Sequence, residues 1–379
     1  LVWFTVAVDR GQPRQPDDFY DAPELSGRAE PGSILRTEPL DGAPEGSRAW
    51  RILYVSKDID DVPVAVSGIL VVPDGEAPEG GRPVVASPHG AIGIGRNCAP
   101  SLRSNWTVLI PGLELLVERG YVVVATDYEG LGAPGRHPFL VGRVAAMNVL
   151  DSVRAARNFE EADASSRFVS WGQSQGGHTS LFVGETAATY APELTLVGIA
   201  ATVPPTDLVT LFDRNLGSTF GNVLASFAFE MWPKLYEEAE IGQVVARSAQ
   251  PVVRNISTYC FLEEKQALSI LPGALLLNVR YLSNDPSETE PWSRLLRENS
   301  PGSAPIPVPI FIGQGGADPL VVPEVTVAYA RRVCGEGATL VYREYAGVGH
   351  NPAGEAAAPD AVAWMADRFE GRPAPRECP

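Results

Sequence analysis

The sequence predicts an α/β fold, in which a mostly parallel sheet is flanked by helices and a helical cap is inserted between two strands. Three features predict this class. Apolar strand-like runs alternate with helix-like segments, a glycine-flanked serine follows one of these runs, and a helix-rich stretch interrupts the alternation late in the chain. The crossover connections of strand–helix–strand units are right-handed. Such alternation therefore gives a parallel sheet covered by helices on both faces.

The individual elements are predicted from the spacing of apolar residues. Strands are predicted at residues 51–56, 64–72, 83–87, 121–126, 196–201, 308–313 and 338–345, and in the run that begins at Phe168. Helices are predicted at residues 108–119, 143–160, 179–183, 223–236, 263–282, 323–333 and 359–369. The first two strands alternate as antiparallel strands do, whereas residues 121–126 are continuously apolar, as buried parallel strands are.

Four stretches of chain follow from this pattern. Residues 1–48 are rich in proline, glycine and charge and are expected to form an extended N-terminal arm. Residues 49–203 and 303–379 are expected to be the two parts of an α/β core, and residues 204–302 a helical cap or lid over the carboxyl edge of the sheet. A separate second domain in place of the cap is the weaker alternative, since the sheet pattern resumes after it.

Charge and composition exclude several classes of protein. Thirty Lys and Arg residues against 46 Asp and Glu residues give a formal net charge of −16, which opposes binding to nucleic acid. No apolar run of about 18 residues is present, so we expect no integral membrane span. The four histidines lack metal-ligand spacing and no C-x-x-C motif occurs, so we expect no metal and no cofactor. The sequence does not define an oligomeric state, and we favour a monomer.

The cysteines indicate an oxidising compartment. There are four of them, which allow three pairings if all are oxidised, and two disulfides in a secreted protein are preferred over free buried thiols. They are Cys98, Cys260, Cys334 and Cys378. Because the chain begins at Leu1 rather than Met, we also expect that a leader was removed.

The glycine-flanked serine is Ser174, in the segment Gly172-Gln173-Ser174-Gln175-Gly176. This G-x-S-x-G pattern, placed between an apolar strand and a helix, is typical of a nucleophile on a sharp strand-to-helix turn. Such a turn strains the backbone at the serine and leaves no room for side chains beside it. We therefore predict that Ser174 is a catalytic nucleophile.

A serine hydroxyl needs an oriented base, and in this class of fold the order along the chain is serine, acid, histidine. Only His350 lies downstream of both Ser174 and the cap, in a glycine-rich loop after a strand. Asp318 follows the strand at 308–313 in a tight loop and is the predicted acid. Its rivals are Glu324, which falls in the next helix, and Glu344, which falls within a strand.

Acyl transfer also needs N–H donors for the developing oxyanion. The amide of Gln175, just after the serine, is one predicted donor, and the amide of Gly90 or of Ala91 is the other. We expect His89 to hold the loop by hydrogen bonds rather than to react. His178 is interpreted as a buried, hydrogen-bonded histidine, and His137 is given no role.

Two sets of residues each have two possible interpretations from the sequence. The carboxylates of Asp127 and Glu129 follow a buried strand and lie either near the active site or in a loop anchor. Apolar residues of the cap either line an acyl pocket or form the core of the cap itself, and periodicity does not separate these alternatives. The residues in question are Phe227, Phe229, Met231, Trp232, Leu275, Leu276 and Leu277.

The combination of motifs resembles the secretory lipase family of the Candida antarctica lipase A type, within the α/β-hydrolase superfamily. The matching stretches are residues 19–20, 31–36, 97–101, 127–130 and 172–177, the Asp318 loop and the Gly349-His350 loop. The resemblance implies an α/β-hydrolase fold with a lid, and ester hydrolysis by Ser174, Asp318 and His350. It also implies an oxyanion hole that uses Gly90, and the disulfides Cys98–Cys260 and Cys334–Cys378.

Two departures from the family pattern bear on the substrate. His89-Gly90-Ala91 stands where the lipase A type carries an acidic residue, and the cap is less continuously apolar than long-chain triglyceride hydrolysis would favour. We therefore predict a secreted serine carboxylesterase or lipase that hydrolyses small-molecule or lipid esters through an acyl-enzyme. The alternatives are an acyltransferase or serine peptidase on the same scaffold, or a binding protein that has lost catalysis.

Overall fold

The computed structural model describes residues 15–261, 264–278 and 280–379. Leu1, on which the expectation of a removed leader rests, lies outside the described residues, as do two positions of the helix predicted at 263–282. Among the described residues, no helix has the length and apolar character needed to cross a membrane.

Within the described residues, nine strands form one sheet, in the order β1-β2-β3-β5-β4-β6-β7-β8-β9. The strands are β1 (Ile34–Leu40), β2 (Ser47–Lys57), β3 (Pro63–Pro73), β4 (Arg82–Ala86), β5 (Val122–Thr126), β6 (Ala164–Gln173), β7 (Thr195–Thr202), β8 (Ile310–Gly315) and β9 (Leu340–Tyr345). Strands β1, β2, β3 and β5 pair antiparallel in turn, whereas β5, β4, β6, β7, β8 and β9 are parallel. The sheet is therefore mostly parallel, as predicted.

The expected N-terminal arm contains an edge strand of the sheet. Residues 34–40 pair in antiparallel register with residues 49–54 of β2, and a short 3₁₀ turn at Asp18–Tyr20 precedes them. No side chain of β1 is fully buried, and most are exposed. An edge strand of this kind lacks the apolar alternation that identifies strands in a sequence, so this part of the arm was not predicted as a strand.

Eleven α-helices occur within the described residues. They are α1 (Leu113–Glu118), α2 (Gly142–Asn158), α3 (Gln175–Tyr190), α4 (Leu208–Asn215), α5 (Thr219–Leu235), α6 (Ile241–Val244), α7 (Gln250–Ile256), α8 (Glu264–Leu277), α9 (Trp292–Glu298), α10 (Pro323–Gly335) and α11 (Ala353–Phe369). Helices α4, α6, α7 and α9 have no counterpart among the predicted helices. Two of the predicted helices differ in where they begin. The segment 108–119 is broken at Gly112, whose φ of +67° suits glycine, and α11 begins before Pro359, which lies inside the helix.

The parallel strands send alternate side chains into two apolar layers. Val122 and Val124 pack with α2 and α3 on one face of the sheet, whereas Val123 packs with α1 and α11 on the other. This alternation is the two-residue period of a pleated strand. Both faces are covered, which explains why these strands read as continuous apolar runs.

Helices α4 to α9 all lie between β7 and β8, within residues 204–302, and this stretch is called the cap below. Its interior is aromatic, with Trp232 and Trp292 stacked at 5.7 Å between ring centroids. Five of the residues left open between cap core and acyl pocket are buried in this interior. They are Phe227, Phe229, Met231, Trp232 and Leu277, whereas Leu275 and Leu276 are exposed.

Both disulfides implied by the family resemblance are present. Cys98–Cys260 joins the segment after β4 to the cap just after α7. Cys334–Cys378 joins the end of α10 to the last residues of the chain. The first bond therefore links the cap to the segment after β4. The second links the C-terminal segment of the chain to α10.

Candidate active site

Ser174 lies at the tip of the turn between β6 and α3. Its backbone has φ +56° and ψ −122°, which is a strained conformation for a residue with a side chain. A Cβ on Gly172 would overlap the backbone of Gly176, and a Cβ on Gly176 would overlap the Pro88 carbonyl oxygen. The two glycines of the motif are therefore required by close backbone approach, once within the turn and once to the neighbouring loop.

Ser174, His350 and Asp318 form a continuous chain of hydrogen bonds. The Ser174 hydroxyl lies 2.9 Å from His350 Nε2, and His350 Nδ1 lies 2.7 Å from Asp318 Oδ2. The three residues come from the turns after β6, β9 and β8, so the parallel strands deliver them to one edge of the sheet. In this geometry the imidazole is oriented to accept the serine proton while its second nitrogen donates to the carboxylate.

The loop around Asp318 holds its carboxylate rigidly. Oδ1 accepts hydrogen bonds from the backbone N–H groups of Leu320 (2.8 Å) and Val321 (3.0 Å), which leaves Oδ2 for His350. The side chain is buried. The rival carboxylates differ, since Glu324 and Glu344 are both exposed and neither contacts His350 in the described structure.

A contact that was not predicted from the sequence holds the histidine loop. The Gln173 side-chain amide donates to the His350 carbonyl at 2.8 Å and to the Asn351 carbonyl at 3.1 Å. Gln173 is the variable residue before the serine, so the G-x-S-x-G pattern places no demand on it. Its side chain couples the serine turn directly to the loop that presents the imidazole.

The predicted oxyanion donors lie on two segments that meet at Ser174. Gln175 begins α3, so its N–H belongs to the electropositive end of that helix. A Cβ built on Gly90 would lie 3.6 Å from Ser174 Cβ, which puts the 88–91 loop directly beside the serine. This arrangement is compatible with donors from Gln175 and from Gly90 or Ala91, and their role stays a prediction.

His89 holds its own loop, in agreement with its predicted structural role. Its Nδ1 lies 2.6 Å from the Gly90 carbonyl and its Nε2 lies 3.2 Å from the Asp127 carbonyl. Burial lowers the pKa of His89 to about 4, so the ring is neutral near pH 7 and carries one N–H. We place that proton on Nδ1, which makes the shorter contact.

The remaining two histidines are buried, and each side chain contacts a backbone carbonyl oxygen. His178 Nε2 lies 2.7 Å from the Asn299 carbonyl, so its partner comes from the cap rather than from the sheet. His137 Nδ1 lies 3.1 Å from the Glu129 carbonyl. Burial lowers the pKa of His178 to about 4 and that of His137 to about 3, which keeps both rings neutral.

The two carboxylates after β5 anchor loops, which decides between their open alternatives. Asp127 accepts from the Ser67 hydroxyl at 2.6 Å and from the Ser101 N–H at 3.0 Å. Glu129 accepts from the Arg136 N–H at 2.8 Å. Burial raises the pKa of Asp127 to about 6 and that of Glu129 to about 7.

An apolar pocket opens beside Ser174 and His350, between the cap and the sheet. It holds about 540 Å³ of empty space, open mouth included. Its other lining residues are Leu140, Pro205, Leu208, Leu211, Phe212, Asn215, Leu216, Gly221, Leu224, Ala225, Leu320 and Val321. Many of these belong to α4, which the sequence analysis did not identify as a helix, so the lining was not predicted.

The described part of the chain contains no cluster of side chains suited to bind a metal ion. There, no three His, Cys, Asp or Glu side chains come together as metal ligands would. The buried carboxylates described above already accept hydrogen bonds from serine hydroxyls and backbone amides.

A mostly parallel sheet with helices on both faces, a helical insertion before β8, and a serine on a strained turn define the α/β-hydrolase fold. Residues 107–377 match the family model described as secretory lipase, and the chain belongs to that family. It is therefore a hydrolase of the lipase type.

Curated relatives match over nearly the whole chain. Lipase 6 of Candida albicans is 25% identical, and the alignment covers 97% of this chain and 84% of that protein. A Mycobacterium tuberculosis protein named as a probable inactive lipase is 26% identical, with 94% of this chain and 82% of that protein covered. One of the relatives is therefore named as lacking activity.

Solved structures share the fold. Candida antarctica lipase A in its closed state superposes with a TM-score of 0.78 at 19% identity, covering 95% of this chain and 87% of that one. The rice cell wall degrading esterase LipA from Xanthomonas oryzae superposes with a TM-score of 0.73 at 20% identity, covering 90% of this chain and 100% of that one. At these identities the superpositions establish the fold.

Proposed function

We propose that this protein is a serine carboxylesterase or lipase that hydrolyses carboxylic esters through an acyl-enzyme on Ser174. The observation that carries the proposal is the unbroken hydrogen-bonded chain from the Ser174 hydroxyl through His350 to Asp318. A serine hydroxyl reacts poorly unless an oriented base removes its proton, and this chain supplies both the base and its orientation.

In the first half of the reaction, His350 Nε2 takes the proton of Ser174 as Oγ attacks the ester carbonyl. Asp318 fixes the imidazole with Nδ1 protonated and stabilises the imidazolium that forms. The imidazolium then protonates the leaving alcohol, and the acyl group stays on Oγ. In the second half, His350 takes a proton from the water that attacks the acyl-enzyme. The bond between the acyl carbon and Oγ then breaks, His350 returns the proton to Ser174 Oγ, and the carboxylic acid is released.

The tetrahedral intermediates of both halves carry a negative charge on the former carbonyl oxygen. The N–H of Gln175 and that of Gly90 or Ala91 are the donors we assign to it. Preorganised donors of this kind contribute roughly 3 kcal/mol each to transition-state stabilisation. The electropositive start of α3 acts on the same oxygen.

The substrates we propose are small-molecule or lipid esters. The apolar lining of the pocket beside Ser174 suits an acyl chain, and relatives are named lipases, including a secreted triacylglycerol lipase of Malassezia globosa. The family name, the two disulfides and that relative support an extracellular location.

The test compares the parent with Ser174→Ala on p-nitrophenyl esters from acetate to palmitate and on a peptide p-nitroanilide. We expect ester hydrolysis by the parent, loss of at least about 10⁴-fold in kcat for the variant, and no anilide cleavage. Hydrolysis by Ser174→Ala at the parent rate would refute the acyl-enzyme proposal. Anilide cleavage that requires Ser174 would indicate a peptidase instead.

A further inference from the structure

Tyr128 lies beneath the meeting point of the two segments that carry the proposed oxyanion donors. Its side chain is fully buried, and its backbone has a φ of +66°. The hydroxyl lies 3.2 Å from the His89 carbonyl oxygen and 3.1 Å from Thr179 Oγ1. One phenol therefore contacts both the 88–91 loop and helix α3.

On the loop side, the contact sets the direction of an amide. Because a trans peptide is planar, the His89 carbonyl and the Gly90 N–H point in opposite directions. A hydrogen bond from Tyr128 that holds the His89 carbonyl therefore fixes the direction in which the Gly90 N–H points. The next peptide is held separately, by the His89 ring on the Gly90 carbonyl.

On the helix side, the contact runs through a threonine. The single phenolic proton is shared between the His89 carbonyl oxygen and Thr179 Oγ1, as a three-centre hydrogen bond. Thr179 Oγ1 in turn donates to the Gln175 carbonyl at 3.0 Å. The first turn of α3, which carries the Gln175 N–H, is thereby tied to the same phenol. The rings of Tyr128 and His89 are also in contact, at 4.7 Å between centroids.

We propose that Tyr128 is a positioning residue that sets the spacing between the two halves of the oxyanion hole. This inference rests on the proposed function, because it concerns the same serine chemistry. Hydrogen bonds to a developing oxyanion are effective only at donor–acceptor distances of about 2.7–3.1 Å. A small shift of one segment relative to the other therefore weakens stabilisation of the transition state more than it weakens binding of the ester. Tyr128 touches neither substrate nor the reacting atoms in this account.

The primary test is Tyr128→Phe, which removes the hydroxyl and keeps the ring. We expect kcat on p-nitrophenyl butyrate to fall by about 10- to 100-fold, with KM within about twofold of the parent, since full loss of a donor costs more. The affinity for a trifluoromethyl ketone, which forms an oxyanion on Ser174, should fall by the same factor as kcat/KM. Tyr281→Phe is the matched control, because that buried hydroxyl also contacts a hydroxyl and a carbonyl, Ser226 Oγ and the Asn222 oxygen.

A second pair of variants keeps the test decisive if Tyr128→Phe does not fold. Thr179→Val removes the link to the Gln175 carbonyl, and Thr179→Ser retains it. We expect Thr179→Val to lower kcat and ketone affinity together, and Thr179→Ser to recover most of both losses.

Two results would overturn the inference. One is a kcat and ketone affinity of Tyr128→Phe within twofold of the parent, and the other is equal losses in Tyr128→Phe and Tyr281→Phe. If Tyr128→Phe does not fold, equal losses in Thr179→Val and Thr179→Ser would overturn it. The proposed function fails separately, through an active Ser174→Ala variant, so the two failures are distinguishable.

Discussion

The sheet core and the cap contact the active site in different ways. The core, which consists of the sheet with helices α1 to α3, α10 and α11, supplies Ser174, Asp318 and His350. The shape of the turns that carry them is fixed by close backbone contacts and backbone hydrogen bonds. The cap contributes apolar side chains to the pocket wall, and its own interior is packed with aromatic rings. In the proposed mechanism the core therefore positions the reacting groups, and the cap shapes the space for the substrate.

One polar side chain links the two regions at the site. Asn215, at the end of α4, donates from Nδ2 to the Leu320 carbonyl at 2.9 Å, next to the amide that holds Asp318. Substitutions of the core residues that form or hold the Ser174–His350–Asp318 chain should therefore change kcat with every ester. Substitutions on the pocket face of the cap should instead change which ester is preferred.

The largest expected effect is in the core. Asp318→Asn keeps the shape of the side chain but no longer holds the imidazole in the tautomer that accepts the serine proton. We expect kcat on p-nitrophenyl butyrate to fall by about 10⁴-fold with the melting temperature nearly unchanged. Glu324→Gln is the control, since that exposed carboxylate should leave kcat unchanged. A fall of less than tenfold in Asp318→Asn would assign the orienting role elsewhere.

The two disulfides should differ in how much each contributes to the free energy of unfolding and to KM. In the chain-entropy model, the 162-residue separation of Cys98–Cys260 is worth about 5 kcal/mol and the 44-residue separation of Cys334–Cys378 about 4 kcal/mol. Cys98→Ser/Cys260→Ser should therefore lower the free energy of unfolding more than Cys334→Ser/Cys378→Ser, and it alone should raise KM by freeing the cap. Urea titration and ester kinetics on both double variants measure this, and equal KM values would contradict it.

A smaller effect is expected on the pocket face of the cap. Ala225→Phe should fill the pocket. We expect kcat/KM for p-nitrophenyl palmitate to fall by about tenfold, and kcat/KM for the acetate to change by less than about twofold. The reason is that one or two methylenes of lost contact are worth about 1–3 kcal/mol. Leu224→Ala should shift the preference towards longer chains. Parallel changes for all chain lengths in both variants would show that these residues do not face the acyl group.

The smallest effect concerns Glu129, in the loop after β5. Burial raises its pKa to about 7, so the folded protein holds this proton more tightly than the unfolded chain does. The resulting stability is present at pH 4 and is lost as the pH rises through 7. The melting temperature of Glu129→Gln should therefore rise relative to the parent between pH 4 and pH 8, and that of the exposed control Glu118→Gln should not. A difference independent of pH would contradict the assignment.

The elements that carry the chemistry were predictable because local sequence determines their shape. Gly172 is required by a backbone contact within the serine turn itself. The strand before Asp318 begins as a continuous apolar run, and the strand before His350 begins with apolar residues. Strand order then brings the three turns to one edge of the sheet. Ser174, Asp318 and His350 could therefore be predicted as candidate site residues from the sequence alone.

The pocket and the edge strand were not predictable, for a physical reason in each case. The cap helix α5 buries side chains around most of its circumference, so its spacing does not reveal which face meets the substrate. Strand β1 exposes most of its side chains and lacks alternation. The contacts of the Tyr128 hydroxyl join residues 39 and 51 positions apart, and nothing local in the sequence encodes them.

The most direct measurement is the first turnover of p-nitrophenyl butyrate by stopped flow, followed by mass spectrometry of the quenched protein. The proposed function predicts a burst of p-nitrophenolate equal to the concentration of active sites and one butyryl group on the peptide that contains Ser174, with neither in Ser174→Ala. A burst of the same size from Ser174→Ala, or a butyryl group on any other residue, would contradict it.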